Sequence, residues 1–255
     1  MRALYTAASG MTAQQLRLDT IANNIANVGT TGFKKSRDAF QDLFYQQLAS
    51  GGGQGEFSPR VELGGGVKLA AIERDQAQGA LVNTNNPLHV AIQGDAWFVV
   101  QTENGDPMYT RDGAFTKDPD GYLVTTTGMR VGGDIQIPPE ADQVAVDYDG
   151  TVHAIVSATG QDLMLGKLEL ARFVNPAGMM GHGGNLFLPT MSSGEAIPVE
   201  ADTQVQLLQG YLEGSNVDVA GELIDMIQAQ RVYELNSKVV QAADETLQVA
   251  ANLRR

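Results

Sequence analysis

The chain has 255 residues, no cysteine, 43% hydrophobic and 6% aromatic residues, and a formal charge of −13, so it can bury a core without disulfides or thiolate-held metal, and it is neither disordered nor a small stapled domain. No stretch of 18 consecutive apolar residues exists to cross a bilayer, which excludes membrane insertion by a helix. Residues 1–40 carry five Lys/Arg against two Asp/Glu, giving +3, while residues 41–255 carry 12 against 28, giving −16; an acidic body with no basic stripe repels phosphates and excludes nucleic acid.

Met1-Arg2 opens a segment that lacks the short apolar run and small-residue cleavage site of a secretory signal, so any export is expected to use another route. From Leu4 to Val28 the apolar residues follow a seven-residue repeat. Leu4, Met11, Leu18 and Ile25 hold one register, and Ala7, Gln14, Ile21 and Val28 lie three residues on. The pattern predicts an amphipathic helix with a narrow seam, ending between Asn27 and Gly32 where Asn and Gly tolerate left-handed backbone. Asn23, Asn24 and Asn27 cluster in its last turns, with Asn23 and Asn27 on one face. They suit either a fraying end or amide hydrogen bonds that set the register of neighbouring helices.

Residues 51–66 hold seven glycines in sixteen positions around Phe57-Ser58-Pro59-Arg60, which suits an extended or hairpin excursion rather than a core element. Beyond it the period falls to two. Asn104-Gly105, Asp120-Gly121 and Asp149-Gly150 separate short β-rich runs such as Trp97–Val100, Tyr122–Val124 and Val152–Val156, predicting antiparallel β structure. The expected division is a helical segment at 1–30, a connecting β region at 31–85 with the Gly-rich extension at 51–66, a β-rich domain at 86–205 and a connector with a second helix at 206–255.

No catalytic pattern emerges. His89, His153 and His182 are mutually out of helical reach, and neither His-Glu-x-x-His nor Gly-x-Ser-x-Gly occurs. Gly181-His182-Gly183-Gly184 lacks the Lys-Ser/Thr that would hold phosphates and metal. Asp118-Pro119-Asp120-Gly121 and Asp147-Tyr148-Asp149-Gly150 resemble calcium loops but miss the glycine and glutamate spacing of an EF-hand, so they read as hairpin turns. No cofactor, metal or catalytic residue is assigned.

At the far end Ser215-Asn216-Val217-Asp218 supplies a starting cap, and no Pro or Gly follows Gly221, predicting a helix of about 35 residues. Leu223, Ile224, Met226 and Ile227 open it, and from Val232 a seam runs through Leu235, Val239, Ala242, Thr246, Val249 and Leu253. Gln230, Arg231 and Glu234 are either solvated or polar glue between helices. A single narrow-striped helix buries too little apolar surface to offset its ordering, so the two helices are expected to pack against other helices, including those of other copies.

Four motifs in order carry a resemblance. Ala22–Asn27 with Thr31-Gly32-Phe33-Lys34, Tyr109–Phe115 with Gly121–Val124, Gly210–Asp218, and Gln230–Lys238 are similar to the signatures of the bacterial flagellar rod and hook family. Phe40–Gln46, the Gly-rich segment and the total length most resemble distal rod subunits; proximal rod subunits of similar size are the rival, and hook proteins are longer. The resemblance implies an α+β fold: long N- and C-terminal helices in a coiled-coil-like stem, and a central antiparallel β-rich domain facing outward. It implies a non-enzymatic subunit that assembles with copies of itself into a helical tube transmitting torque through the periplasm. Partners implied are other rod proteins, the hook protein, the type III export apparatus and surrounding ring proteins. The assembly interface would comprise Leu4, Met11, Leu18, Ile21, Asn23, Asn24, Ile25 and Asn27 of the first helix, with Leu223, Ile227, Gln230, Val232, Leu235 and Val239 of the second. Phe57, Pro59, Arg60, Val61 and Leu63 would form a rod-stiffening segment. The reading from another class is a secreted acidic β-rich enzyme or glycan-binding module with helical ends.

Overall fold

A computed structural model describes residues 2–44, 46–47, 62–102, 105–141, 143–156, 161–202 and 204–252. The chain divides into two compact units, one of residues 1–26, 36–74 and 218–255, the other of residues 27–35 and 75–217. The architecture is α+β, with one long helix near each end of the sequence and antiparallel strands between them.

In the first unit helix α1 spans Arg2–Ala26, a stretch free of proline that stops where Asn27 and Gly29 begin a turn. Helix α2 spans Val219–Asn252. Its start is fixed by Asp218, whose carboxylate accepts hydrogen bonds from the Ala220 and Gly221 amides at 3.2 and 3.3 Å. The two helices run antiparallel: Asn24 meets Glu222, Arg17 meets Asp225, and Gly10 lies against Asn236. At 1.5 Å per residue, the rest of α1 reaches only to about residue 244 of α2, so the final two turns of α2 outrun it.

Strand β1 (Ser36–Asp42) pairs antiparallel with β4 (Val67–Arg74), with a bulge between Ala39 and Phe40. Farther along, β2 (Gln46–Gln47) pairs antiparallel with β3 (Glu62–Leu63), with Leu63 opposite Gln46. The intervening segment, with Phe57, Pro59, Arg60 and Val61, lies outside the described residues. The ladder is tied to α1 by Thr20 Oγ1 donating to Asp38 at 2.7 Å and by Asn24 bonding both backbone groups of Ser36. Helix α1 therefore has partners on two sides within its own chain, α2 and this ladder.

The second unit is built from antiparallel strands. The strand Trp97–Gln101 is its centre, flanked by Pro107–Thr110 and Arg130–Val131 and also paired through its first residues with Leu170–Arg172. The expected alternation is present but both faces are buried. Phe98 points into a core with Val90, Ile92, Phe115, Val131, Val152 and Leu207. Trp97 points the other way, onto Tyr109, Phe173 and Phe187. The predicted turns carry Gly121 and Gly150 at φ +90° and +87°, where a β-carbon would be strained.

Candidate assembly interface and buried charge cluster

Helix α2 has two working faces. Toward α1 it presents Glu222, Asn236 and the buried Ala229. A β-carbon added at Gly10 would stand 2.9 Å from the Asn236 side chain, so small residues set the separation of the pair. At 100° per residue, Leu223, Ile227, Leu235 and Val249 lie about 120–160° around the helix from Ala229, on roughly the opposite side, whereas Val232 and Val239 lie about 60–80° from it, on the heptad position of Asp225, and border the α1 contact. Their exposure runs from 40% at Val232 to 59% at Leu235. The predicted seam is exposed from Val232 to Val249, while Leu253 lies outside the described residues, and the residues that meet α1 are centred on Glu222, Ala229 and Asn236.

The predicted residues of the first helix divide similarly. Ile21 and Asn24 are buried, while Leu4, Met11, Leu18 and Ile25 are half-buried. Asn23 is exposed, and Asn27 belongs to the second unit, where its side-chain oxygen accepts from Thr30 Oγ1. Gln230 is exposed beside the apolar stripe. Asn24 makes an amide bridge between the helices: its Nδ2 donates to Glu222 Oε2 at 3.2 Å and to the Ser36 carbonyl at 2.9 Å, and its Oδ1 accepts the Ser36 amide at 2.9 Å. Asn24→Ala leaves a buried amide, a carbonyl and a carboxylate short of partners. It should lower the stability of the helical unit by about 2–3 kcal/mol, measured by denaturant unfolding followed at 222 nm.

A second feature lies wholly in the β unit. Lys34, Glu213 and Arg111, 179 and 102 residues apart from Glu213 in sequence, meet in the interior with side-chain exposures of 0%, 0% and 3%. Lys34 Nζ contacts Glu213 Oε1 at 2.5 Å and donates to the Ala77 carbonyl at 2.8 Å. Arg111 reaches Glu213 Oε2 at 3.4 Å and the Gly94 carbonyl at 2.8 Å, and its guanidinium lies 5.3 Å from the Trp97 ring centre. Desolvation pushes both Lys34 and Arg111 below their ordinary pKa values, partly opposed by Glu213. The sequence motifs contained all three residues, but nothing in their local pattern announced an ion cluster.

Around it the connecting segments are stitched together. The Gly32 amide donates to the Glu213 carbonyl at 2.8 Å and the Gly79 amide to its carboxylate at 2.9 Å. Asn216 accepts from the Lys35 amide and donates to the Asp75 and Ala77 carbonyls. Residues 31–35, 75–79 and 213–216, next to the points where the chain passes between its two units, are held in one place. The calcium-like motifs have other uses: Asp118 Oδ1 accepts the Asp120 amide, and Asp149 accepts both the amide and the hydroxyl of Thr151.

Three family models match the chain. They are a flagella basal body rod protein model at residues 4–34, the D1 domain of flagellar hook protein FlgE/F/G at 91–154, and the C-terminal part of flagellar basal body rod FlgEFG protein at 208–253. The flagellar basal-body rod protein FlgG of Borreliella burgdorferi is 43% identical over 268 residues, covering all of this chain and 99% of the relative. That of Caulobacter vibrioides is 42% identical over 262 residues, with full coverage of both. The chain belongs to the flagellar basal-body rod protein family. The rod protein FlgF of Mesorhizobium japonicum is also similar, at 31% over 252 residues. In this rod-family chain each of the three matched segments supplies one member of the ion cluster: Lys34, Arg111 and Glu213.

Proposed function

We propose that this protein is a structural, non-enzymatic subunit of the distal flagellar rod, polymerising with copies of itself into the tube that carries torque toward the hook. The observation that carries the reading is the apolar face of α2, whose Leu223, Ile227, Leu235 and Val249 stay in water although α2 is already paired with α1 through Glu222, Ala229 and Asn236, with Val232 and Val239 exposed at the edge of that contact. A contiguous exposed apolar stripe on a helix marks a surface that packs against a partner. In the rod, α1 and α2 would form a coiled-coil-like stem whose outer stripe packs on stems of neighbouring copies. Leu4, Met11, Leu18 and Ile25, left half-buried, would complete that interface. The distal rather than proximal position is supported by higher identity to the FlgG relatives than to the FlgF relative, 43% against 31%. Other rod proteins, the hook protein, surrounding rings and the type III export apparatus are the partners this position implies.

Electron microscopy of the concentrated protein tests the reading. Helical polymers with α2 buried between copies are expected, and a protein that stays monomeric at the highest soluble concentration would speak against it.

The excursion based on β2 and β3, with Phe57, Pro59, Arg60, Val61 and Leu63, would add axial contacts between copies and so resist sliding. Deleting Gly52 to Gly65 should leave the folded monomer intact and give a more curved polymer, read as a shorter persistence length in micrographs. Straight, unaltered polymers would reject the stiffening role and leave the rod reading in place.

A further inference from the structure

We propose that the Lys34–Glu213–Arg111 cluster is a folding lock: the β unit reaches its ordered state only when the Tyr211–Glu213 strand docks, so the preceding segments stay loose until the C-terminal segment joins them. This goes beyond the rod reading and does not depend on it.

Charge governs closure of the unit. Two of the three clustered groups are cations, and Glu213 is their buried anion. Asp95 lies 3.9 Å from Arg111 but is 67% exposed, so water shares its charge. Without Glu213, closing the unit would bury Lys34 and Arg111 near each other with only the carbonyls of Ala77 and Gly94 as acceptors. Burying unpaired like charges is strongly unfavourable, so closure is withheld. Packing acts with charge, because Val205 and Leu207, just before this strand, belong to the main core. Glu213 also closes two backbone segments at once, through the amides of Gly32 and Gly79. Glu213 therefore supplies the buried counter-charge that both cations share and pins residues 32 and 79.

Trp97, the single tryptophan, lies beside Arg111 and reports closure by fluorescence. During refolding of the full-length monomer, Trp97 burial and hydrogen-exchange protection of residues 90–110 should appear in the same phase as protection of the Gly32 and Gly79 amides. An earlier phase for residues 90–110 would overturn the lock. Glu213→Gln leaves two cations unneutralised and should speed native-state exchange of residues 90–110 by about a hundred-fold or more, whereas Lys34→Met keeps a neutral Arg111–Glu213 pair and should stay within about ten-fold. Equal effects of the two substitutions would show that charge is not the cause. Should Glu213→Gln fail to fold, adding Lys34→Met removes one of the unpaired cations and should recover part of the Trp97 signal; no recovery would likewise sink the proposal.

Discussion

Replacing Ile227 and Leu235 together by aspartate will leave a folded, soluble monomer and abolish polymerisation. Both side chains are about half exposed on the face of α2 turned away from α1, so the monomer loses little packing. The cost to the helix is the weaker propensity of Asp, about 0.5 kcal/mol per site. In a polymer whose stems pack on this stripe, the same change places two carboxylates in an apolar contact, at several kcal/mol each unless they find partners. Adding this chain's net charge of −13, no surplus of cations exists elsewhere on the body to neutralise them. The critical concentration for assembly should therefore rise by about a thousand-fold or more, the equivalent of roughly 4 kcal/mol. Sedimentation and micrographs across a concentration series measure it, with circular dichroism confirming the helices. Polymers forming at the concentration of the unsubstituted protein would remove the α2 stripe from the interface.

The same stripe marks where sequence reasoning succeeds and where it stops. Heptad spacing marks Val232, Leu235 and Val239 as one face, because branched apolar residues weigh heavily in any periodicity. It does not mark the face that α2 turns to α1, which is made of Glu222, Ala229 and Asn236 against Gly10 and Asn24. Small and polar residues permit close approach and hydrogen bonding, yet they leave almost no hydrophobic signal. Both helix ends were readable from capping chemistry, at Asp218 and at Asn27, and the central turns from Asp-Gly pairs. Lys34, Arg111 and Glu213 show the other limit. Each sits in a motif with glycine and hydroxyl residues and other charges beside it, and what they do depends on pairing across 102 and 179 residues. Local pattern carries no information at that range.

Gly113 offers the largest expected change in stability from a single added methyl. It sits in the Tyr109–Phe115 motif, where its carbonyl accepts the Val90 and Phe115 amides at 3.1 and 2.9 Å. A β-carbon at this position would fall 1.7 Å from the Val90 carbonyl oxygen, 2.8 Å from its carbon and 3.3 Å from the Phe98 ring. None of these neighbours can yield cheaply: Val90 and Phe98 are both buried in the main core, and Val90 also belongs to a strand paired with Gln206–Gln209. Gly113→Ala must therefore push two backbone segments apart, and should cost about 3 kcal/mol or more. For a chain of this length that corresponds to a fall in melting temperature of roughly 6–12 °C. Gly29 supplies the contrast, since an added β-carbon there meets nothing within 4 Å. Gly29→Ala should leave stability within about 0.5 kcal/mol, or raise it slightly by restricting the unfolded chain. Unfolding followed by Trp97 fluorescence compares the two. If Gly113→Ala melts within 2 °C of the unsubstituted protein (about 0.5 kcal/mol), close backbone approach is not the reason for glycine at that position.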